Sequence, residues 1–290
     1  MASDHIQVIK EGGLYALQNV FKLDGLASCY PANAQGYSVV NSYILKNASG
    51  ALMLDSGYLA HWPAILKQLH SVLDVTKPLS IYPLRLNEFM SVSNVEAIAE
   101  EFIVDQCYSS NPDAALWVDF GGRSDTPNPK PLSIKTTVVT RAQTIYLGGD
   151  ESYPLEAFQA PIRLIATRWI YDKTTRTLFT SDSFTHEWCS QEDGPWVYGD
   201  SDDATTVEHI KSFLVNTRYW WLEGGETTSL RKKLAGVFEK YDIENIAPGY
   251  GRVLCGKKLV ERQYQLLDEA LRQLDKSLVQ AKYVFRDRIG

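Results

Sequence analysis

The chain has 290 residues, of which 44% are hydrophobic, so it is long enough to bury a substantial core. Its formal net charge of −6 and the lack of a basic stripe argue against nucleic acid and anionic membranes as partners. No run approaches the ~18 apolar residues of a membrane helix, and no leader pattern opens the chain. We therefore expect a cytoplasmic protein.

The four cysteines, Cys29, Cys107, Cys189 and Cys255, lie far apart in the sequence and form no C-x-x-C pair. This spacing indicates free thiols rather than a disulfide framework or a zinc knuckle. The common phosphate-loop, dinucleotide and serine-elbow motifs are also missing, which argues against the corresponding nucleotide-binding and hydrolase classes.

The first half of the chain predicts strands alternating with helices. Residues 41–46 and 51–55 flank the turn at 47–50 and predict a hairpin. Apolar residues at helical spacing between 59 and 73 predict an amphipathic helix. A strand and loop follow at 81–94, and the capping-box pattern of Ser93 and Glu96 predicts the start of another helix.

The second half predicts more strands and then three helices. Strands are expected at 114–120, 136–140, 144–147 and 160–169. Alternation in the last of these would place Arg163, Ile165 and Thr167 on one face. The segment 121–131 is rich in turn formers and predicts a long exposed loop, which could select a substrate or be a passive insertion. Helices are expected near 207–214, 230–238 and 259–278.

Three strand ends follow one another in a characteristic order and at characteristic distances along the chain. They are Asp55-Ser-Gly57 after the hairpin, Asp182 at the end of 177–182, and Tyr250 in Ile-Ala-Pro-Gly-Tyr-Gly. Together they resemble the metallo-β-lactamase superfamily, and most closely its flavodiiron and oxygen-binding diiron proteins. The resemblance implies an α+β, four-layer αββα sandwich. It further implies one domain, 1–290, with a core at about 35–255 and a C-terminal helix at about 257–281.

The same resemblance implies that most metal ligands have been replaced. The positions of the diiron ligands fall on Leu86, Glu88, Met90, Ser91, Arg163, Asp182 and Tyr250. Of these, only Glu88 and Asp182 keep a ligand side chain. A transition metal needs several deprotonated N, O or S donors that converge on one point. We therefore expect no bound metal and no cofactor.

Arg163 is the most informative replacement. A guanidinium could bridge Glu88 and Asp182 in place of a metal ion, although Arg163 could equally point to solvent. His186, four residues after Asp182, could act as a general base or a recruited ligand, or could be an ordinary core or surface histidine.

Two functional hypotheses follow. In the first, the chain is a binding or regulatory protein with a degenerate metal site, and Arg163, Arg85, Phe89 and Trp169 contact a small-molecule ligand. In the alternative it is an enzyme.

The enzyme would be a hydrolase or diiron-type oxidoreductase with a site rebuilt around Glu88, Asp182 and His186, or a metal-free catalyst using Glu88 and Tyr250. In either case the aromatic run at 217–222 predicts a homodimer.

Overall fold

The computed structural model describes residues 5–112, 114, 134–199 and 204–277. The described residues form two mixed sheets and a set of helices, which confirms the predicted α+β class. Apart from Ala114, the predicted strand at 114–120 and the predicted loop at 121–131 lie outside the described residues.

The first sheet has seven strands in the order β1 to β7. They are β1 His5–Lys10, β2 Leu14–Lys22, β3 Tyr37–Lys46, β4 Ala51–Leu54, β5 Leu79–Tyr82, β6 Val104–Ser109 and β7 Lys135–Val138. The predicted hairpin is confirmed, because β3 and β4 pair antiparallel from Tyr43 opposite Leu54 to Lys46 opposite Ala51. Strands β4 to β7 run parallel, so their carboxyl ends meet at one edge.

The second sheet has the strand order β12-β14-β13-β11-β10-β9-β8. Its strands are β8 Ala142–Tyr146, β9 Pro154–Gln159, β10 Arg168–Asp172, β11 Thr177–Ser181, β12 Val197–Tyr198, β13 Asn245–Pro248 and β14 Val253–Cys255. Strand β9 pairs antiparallel with both β8 and β10, whereas β11 pairs parallel with β13.

Six α-helices are defined in the described ranges: α1 Trp62–Val72, α2 Phe89–Val92, α3 Val95–Glu101, α4 Val207–Val215, α5 Thr228–Lys240 and α6 Lys257–Leu274. The helices predicted near 59–73, 207–214 and 230–238 are confirmed. The last predicted helix is present from Lys257 to Leu274, and residues from 278 onward lie outside the described part. Within the described residues, no helix is both long and apolar enough to cross a membrane.

Contacts divide the chain into two compact units. The first contains Met1–Val20, Val40–Ala160 and Ile165–Thr175, and the second contains Phe21–Val39, Pro161–Leu164 and Arg176–Gly290. The core of the first unit forms where α1 packs on the first sheet, with Trp62, Ile65 and Leu69 of the helix in one cluster with Met53 and Ile81. Apolar residues at helical spacing on α1 meet alternating residues of the strands, and this burial holds the layer together.

Two predictions are wrong in detail. Residues 160–167 form a series of bends rather than a strand, so Arg163 and Ile165 do not belong to a pleated face. The predicted capping box is also not formed. Asn94 rather than Ser93 is the N-cap of α3, and it makes no side-chain capping bond. Its side-chain amide instead donates to the carbonyls of Ser56 and Gly57.

Candidate functional site

In the first unit, the candidate site is the segment that follows β5. Asp55, directly after β4, accepts a hydrogen bond on Oδ1 from the backbone N–H of Leu84 at 2.8 Å, and its own N–H donates to the carbonyl of Tyr82. Asp55 is buried and has a φ of 56°. Because β4 and β5 are parallel neighbours, the aspartate at the end of one strand can fix the start of the loop that leaves the other.

A second set of hydrogen bonds holds the far end of this loop. The side-chain amide of Asn94 donates to the carbonyls of Ser56 and Gly57 at 2.9 and 3.1 Å. The N–H of Gly57 donates to the carbonyl of Met90 at 2.7 Å. Gly57 has a φ of 79°, which favours glycine, and a Cβ there would lie 2.5 Å from Cδ1 of Ile65, so that side chain would have to move. We call Asp55, Ser56, Gly57 and Asn94 the loop anchor.

The loop held by this anchor carries the first group of positions compared with metal ligands. Leu86 is fully buried in an apolar cluster with Val92 and Ala114. Met90 is fully buried, and its sulfur accepts a hydrogen bond from Oγ of Ser91 at 3.2 Å. At these three ligand positions the buried side chains are thus a leucine, a thioether and a hydroxyl.

Arg85 and Glu88 form an ion pair on the same loop. Nη1 of Arg85 is 3.8 Å from Oε1 of Glu88. Arg85 is fully buried, whereas the side chain of Glu88 keeps 23% of its surface exposed. The arginine expected as a ligand anchor therefore contacts the acid expected as a catalyst.

The two aromatic residues predicted to line the site differ in burial. Phe89 is 56% exposed at the start of α2. Trp169 lies on β10, is fully buried, and packs edge-on against Phe158 with ring centroids 6.3 Å apart. Of these two residues, Phe89 is therefore the one with an accessible ring.

In the second unit, Asp182 follows the end of β11 and is buried. A small cavity of about 10 Å³ lies beside it, with polar side chains from Asp182, His186 and Tyr219 and apolar ones from Ile162, Phe213 and Leu267. A volume of this size holds at most one water molecule. An organic ligand could reach Asp182 here only after side chains move.

His186 is a buried, hydrogen-bonded residue. Its Nε2 lies 2.8 Å from Oε1 of Gln263, and because an amide oxygen only accepts, Nε2 donates. The backbone carbonyl of His186 is 3.0 Å from Nε2 of His209, and both Gln263 and His209 are fully buried. Next to it, Glu187 accepts a hydrogen bond from the hydroxyl of Thr205 at 2.5 Å. His186 is thus tied by hydrogen bonds to buried residues of two helices, His209 of α4 and Gln263 of α6.

Tyr250 is fully buried after β13 and packs edge-on against Phe21, with ring centroids 6.4 Å apart. The next residue, Gly251, has a φ of 75°, and a Cβ there would clash with the carbonyl of Glu187. Arg163 is half-buried within the bends before β10. Its proposed bridge between Glu88 and Asp182 stays a prediction.

Sequence reasoning missed several polar residues that the structure places in buried positions. The capping-box pattern points to Ser93 and Glu96 rather than to Asn94, and no motif in the sequence marks Tyr82 or Arg168. A signal existed for Asn94, because a polar residue follows the loop where the adjacent Asp55-Ser-Gly57 segment needs donors. For Arg168, an arginine beside a tryptophan in an apolar strand was the available signal. In the described ranges, no group of three or more His, Cys, Asp or Glu side chains is arranged to hold a metal ion.

No protein-family model and no curated protein sequence matches the chain, but solved structures do. The rubredoxin oxygen:oxidoreductase of Desulfovibrio gigas aligns with a TM-score of 0.69 at 13% identity, over 93% of this chain and 62% of that one. The flavodiiron protein of Giardia intestinalis gives 0.63 at 14%, over 94% and 61%. A flavoprotein of Thermotoga maritima gives 0.65 at 16%, over 92% and 61%.

These similarities show the fold. The chain has the metallo-β-lactamase-like fold found in flavodiiron proteins, which confirms the expectation from its strand ends. The chain spans 61 to 62% of the length of these three proteins.

Proposed function

We propose that this chain is a metallo-β-lactamase-fold protein that has lost its metal site and works by binding a small molecule, as a binding or regulatory protein. The ligand that fits best is flat and weakly acidic, because the loop after β5 carries an exposed aromatic ring at Phe89 and a buried guanidinium at Arg85 that a carboxylate would reach once side chains of the loop move.

The donor set of this loop carries the proposal. Leu86 packs with Val92 and Ala114, so it supplies a methyl surface where an imidazole would be needed. Met90 and Ser91 bond to each other and bring no carboxylate or imidazole. Iron and zinc sites in proteins are built from carboxylate, imidazole and thiolate donors. The side chains present on this loop therefore do not fit an iron pair.

The Arg85–Glu88 pair supports the same conclusion through charge. Arg85 remains protonated at any physiological pH, and it lies within ion-pair distance of the carboxylate that would serve as a ligand. A divalent cation approaching Glu88 would have to overcome repulsion from this guanidinium. Arg85 thus compensates the negative charge of Glu88, as a bound metal ion would.

Elemental analysis tests the loss of the metal site. Protein purified from medium supplemented with iron, zinc and manganese should contain less than about a tenth of an equivalent of each, because no site with three or four ligands is filled. Arg163→His should not change this, since the other replaced positions remain. A full equivalent of metal that is lost in Glu88→Gln would contradict the proposal and favour the enzyme alternative.

A thermal-shift screen of aromatic carboxylic acids tests ligand binding. A ligand at a hundred times its dissociation constant should add about 2.7 kcal/mol to the free energy of unfolding. Arg85→Gln should weaken this response, and the matched control Arg141→Gln, at an exposed arginine of the same unit, should keep it. No response to any acid in the wild-type protein would reject the proposed ligand class.

A further inference from the structure

Arg168 is a buried cation whose hydrogen bonds are incomplete. It opens β10, and only 5% of its surface is exposed. Nη2 donates to the backbone carbonyl of Val139 at 3.3 Å, but Nε and Nη1 have no hydrogen-bond partner in the described part of the chain. No described acidic side chain forms an ion pair with it. The guanidinium therefore keeps donors that the described residues do not use.

Tyr82 presents a second unused donor next to Arg168. It is the last residue of β5 and is fully buried. Its hydroxyl makes no well-aligned hydrogen bond among the described residues, although it lies close enough to the guanidinium of Arg168 to interact with it. Burial raises the pKa of Tyr82, and the charge of Arg168 and a poorly aligned hydrogen bond from its guanidinium only partly oppose this rise, so the side chain is a neutral phenol at physiological pH. The phenol can accept from Arg168 and still keep its own O–H for another acceptor. A neutral phenol can donate a hydrogen bond to an anion.

The position of these donors in the fold is that of a ligand site. Tyr82 ends β5, Tyr108 lies near the end of β6 with its ring 5.7 Å from that of Tyr82, and Val139 follows β7. Arg168 therefore reaches the carboxyl edge of three parallel strands. In sheets with parallel strands, ligands bind preferentially beyond this edge, where the loops diverge.

From these observations we propose that Arg168 and Tyr82 form a binding site for the oxyanion group, carboxylate or phosphate, of a small molecule. A buried guanidinium with unused donors is unfavourable, because it has lost water and the described residues replace only part of that hydration. An oxyanion supplies both the opposite charge and several acceptors, and a guanidinium can contact two of its oxygens at once. The hydroxyl of Tyr82 gives a third hydrogen bond. Neither residue is among the positions compared with metal ligands, so the site is independent of the metal question.

Thermal unfolding at fixed pH and fixed ionic strength tests the site, with sodium chloride replaced stepwise by sodium phosphate or by sodium benzoate. At saturation the wild-type midpoint should rise by about 3 °C or more relative to chloride. Phosphate also stabilises proteins in general, so the quantity that matters is the difference from Arg168→Gln, which should lose the specific rise. Tyr82→Phe should reduce it, and Arg141→Gln should keep it.

The two anions distinguish the source of the oxyanion. A specific rise with phosphate alone identifies a phosphate group, and one with benzoate alone identifies a carboxylate. Benzoate binding that Arg168→Gln retains would overturn this inference while leaving the aromatic-acid proposal intact. A phosphate response lost in Arg168→Gln, with no response to any aromatic acid, would support this inference and overturn the aromatic-acid proposal.

A second measurement keeps the test decisive if no anion acts on the wild-type protein. Without anion, Arg168→Met should be at least as stable as the wild-type protein, because it removes a buried cation that forms no ion pair with the described acidic residues. A midpoint several degrees lower in Arg168→Met, together with no anion response in the wild-type protein, would show that the chain itself satisfies the guanidinium and would overturn the inference. If Arg168→Met does not fold, Arg168→Lys and Tyr82→Phe replace it. An anion response unchanged in both variants would likewise overturn the inference.

Discussion

Arg85 and Glu88 are joined twice within one turn of the chain. The N–H of Glu88 donates to the carbonyl of Arg85 at 3.0 Å, and their side chains are 3.8 Å apart. The backbone bond closes a turn that brings both side chains to the same side. The pairing of a buried cation with a half-buried acid is therefore local, and it does not depend on any other segment to bring the two together.

Arg85→Met should lower the free energy of unfolding by about 1 to 3 kcal/mol, less than for a fully buried pair because Glu88 remains partly hydrated. Urea denaturation measures this loss. A double-mutant cycle with Glu88→Gln should give a coupling of more than about 0.5 kcal/mol, whereas the exposed control Arg141→Gln should change stability by less than about 0.5 kcal/mol. Additive single variants would mean that the two side chains do not interact in solution.

Asn94→Ala should destabilise the protein by about 2 kcal/mol, because the buried carbonyls of Ser56 and Gly57 lose the donor that satisfies them. Chemical denaturation gives the loss, and hydrogen exchange should show faster exchange at the N–H of Gly57. Asn87→Ala is the matched control, since Asn87 is exposed on the same loop. Equal effects of the two substitutions would contradict the role of the loop anchor.

His61 should make stability depend on pH. Burial lowers its pKa below 6.5, and Nδ1 has no partner among the described residues, so folding favours the neutral ring. Below pH 6.5 the unfolded chain binds a proton that the folded chain resists, and stability should fall as the pH drops from 7 to 5. His61→Gln should flatten part of this slope in thermal unfolding. A slope unchanged in His61→Gln would reject the prediction.

Self-association through the aromatic run at 217–222 stays a prediction, and the structure gives it a clear test. Trp220 is 68% exposed and Trp221 is 37% exposed, while Tyr219, which precedes them in the chain, is buried. Wild-type protein at micromolar concentration should have the mass of a dimer in light scattering, and Trp220→Arg should have that of a monomer. Val75→Arg, also at an exposed apolar position, serves as control. A wild-type monomer would exclude the dimer.

The fold could be predicted from sequence because strand ends and helix periods are local signals. The hairpin of β3 and β4 and the helix α1 follow from alternation, a turn and apolar spacing, and the structure confirms them. The strand predicted at 160–169 failed for a physical reason. Apolar alternation favours a strand only where neighbours supply backbone bonds, and here Thr167 bonds to Ile165 and to Ala160 in a compact bend.

The site was harder to predict, because its contacts join residues that are distant in sequence. The pairing of Arg85 with Glu88 was within reach of a local argument, since the two are three residues apart. The bonds from Asn94 to Ser56 and from His186 to Gln263 span 38 and 77 residues. Side chains of this kind are assigned by the packing of the whole unit, and no periodicity in the sequence marks them.

The loop anchor also bears on how this scaffold could change over time. The course of the loop after β5 is set by Asp55, Gly57 and Asn94, none of which is a position compared with metal ligands. Substitutions at 86, 90 and 91 that keep the size of these buried side chains can thus alter the chemistry of the loop while the hydrogen bonds that set its path remain. Such a separation lets a lineage exchange one set of reactive side chains for another through folded intermediates. It also marks these three positions as the place to begin a laboratory library for a new activity.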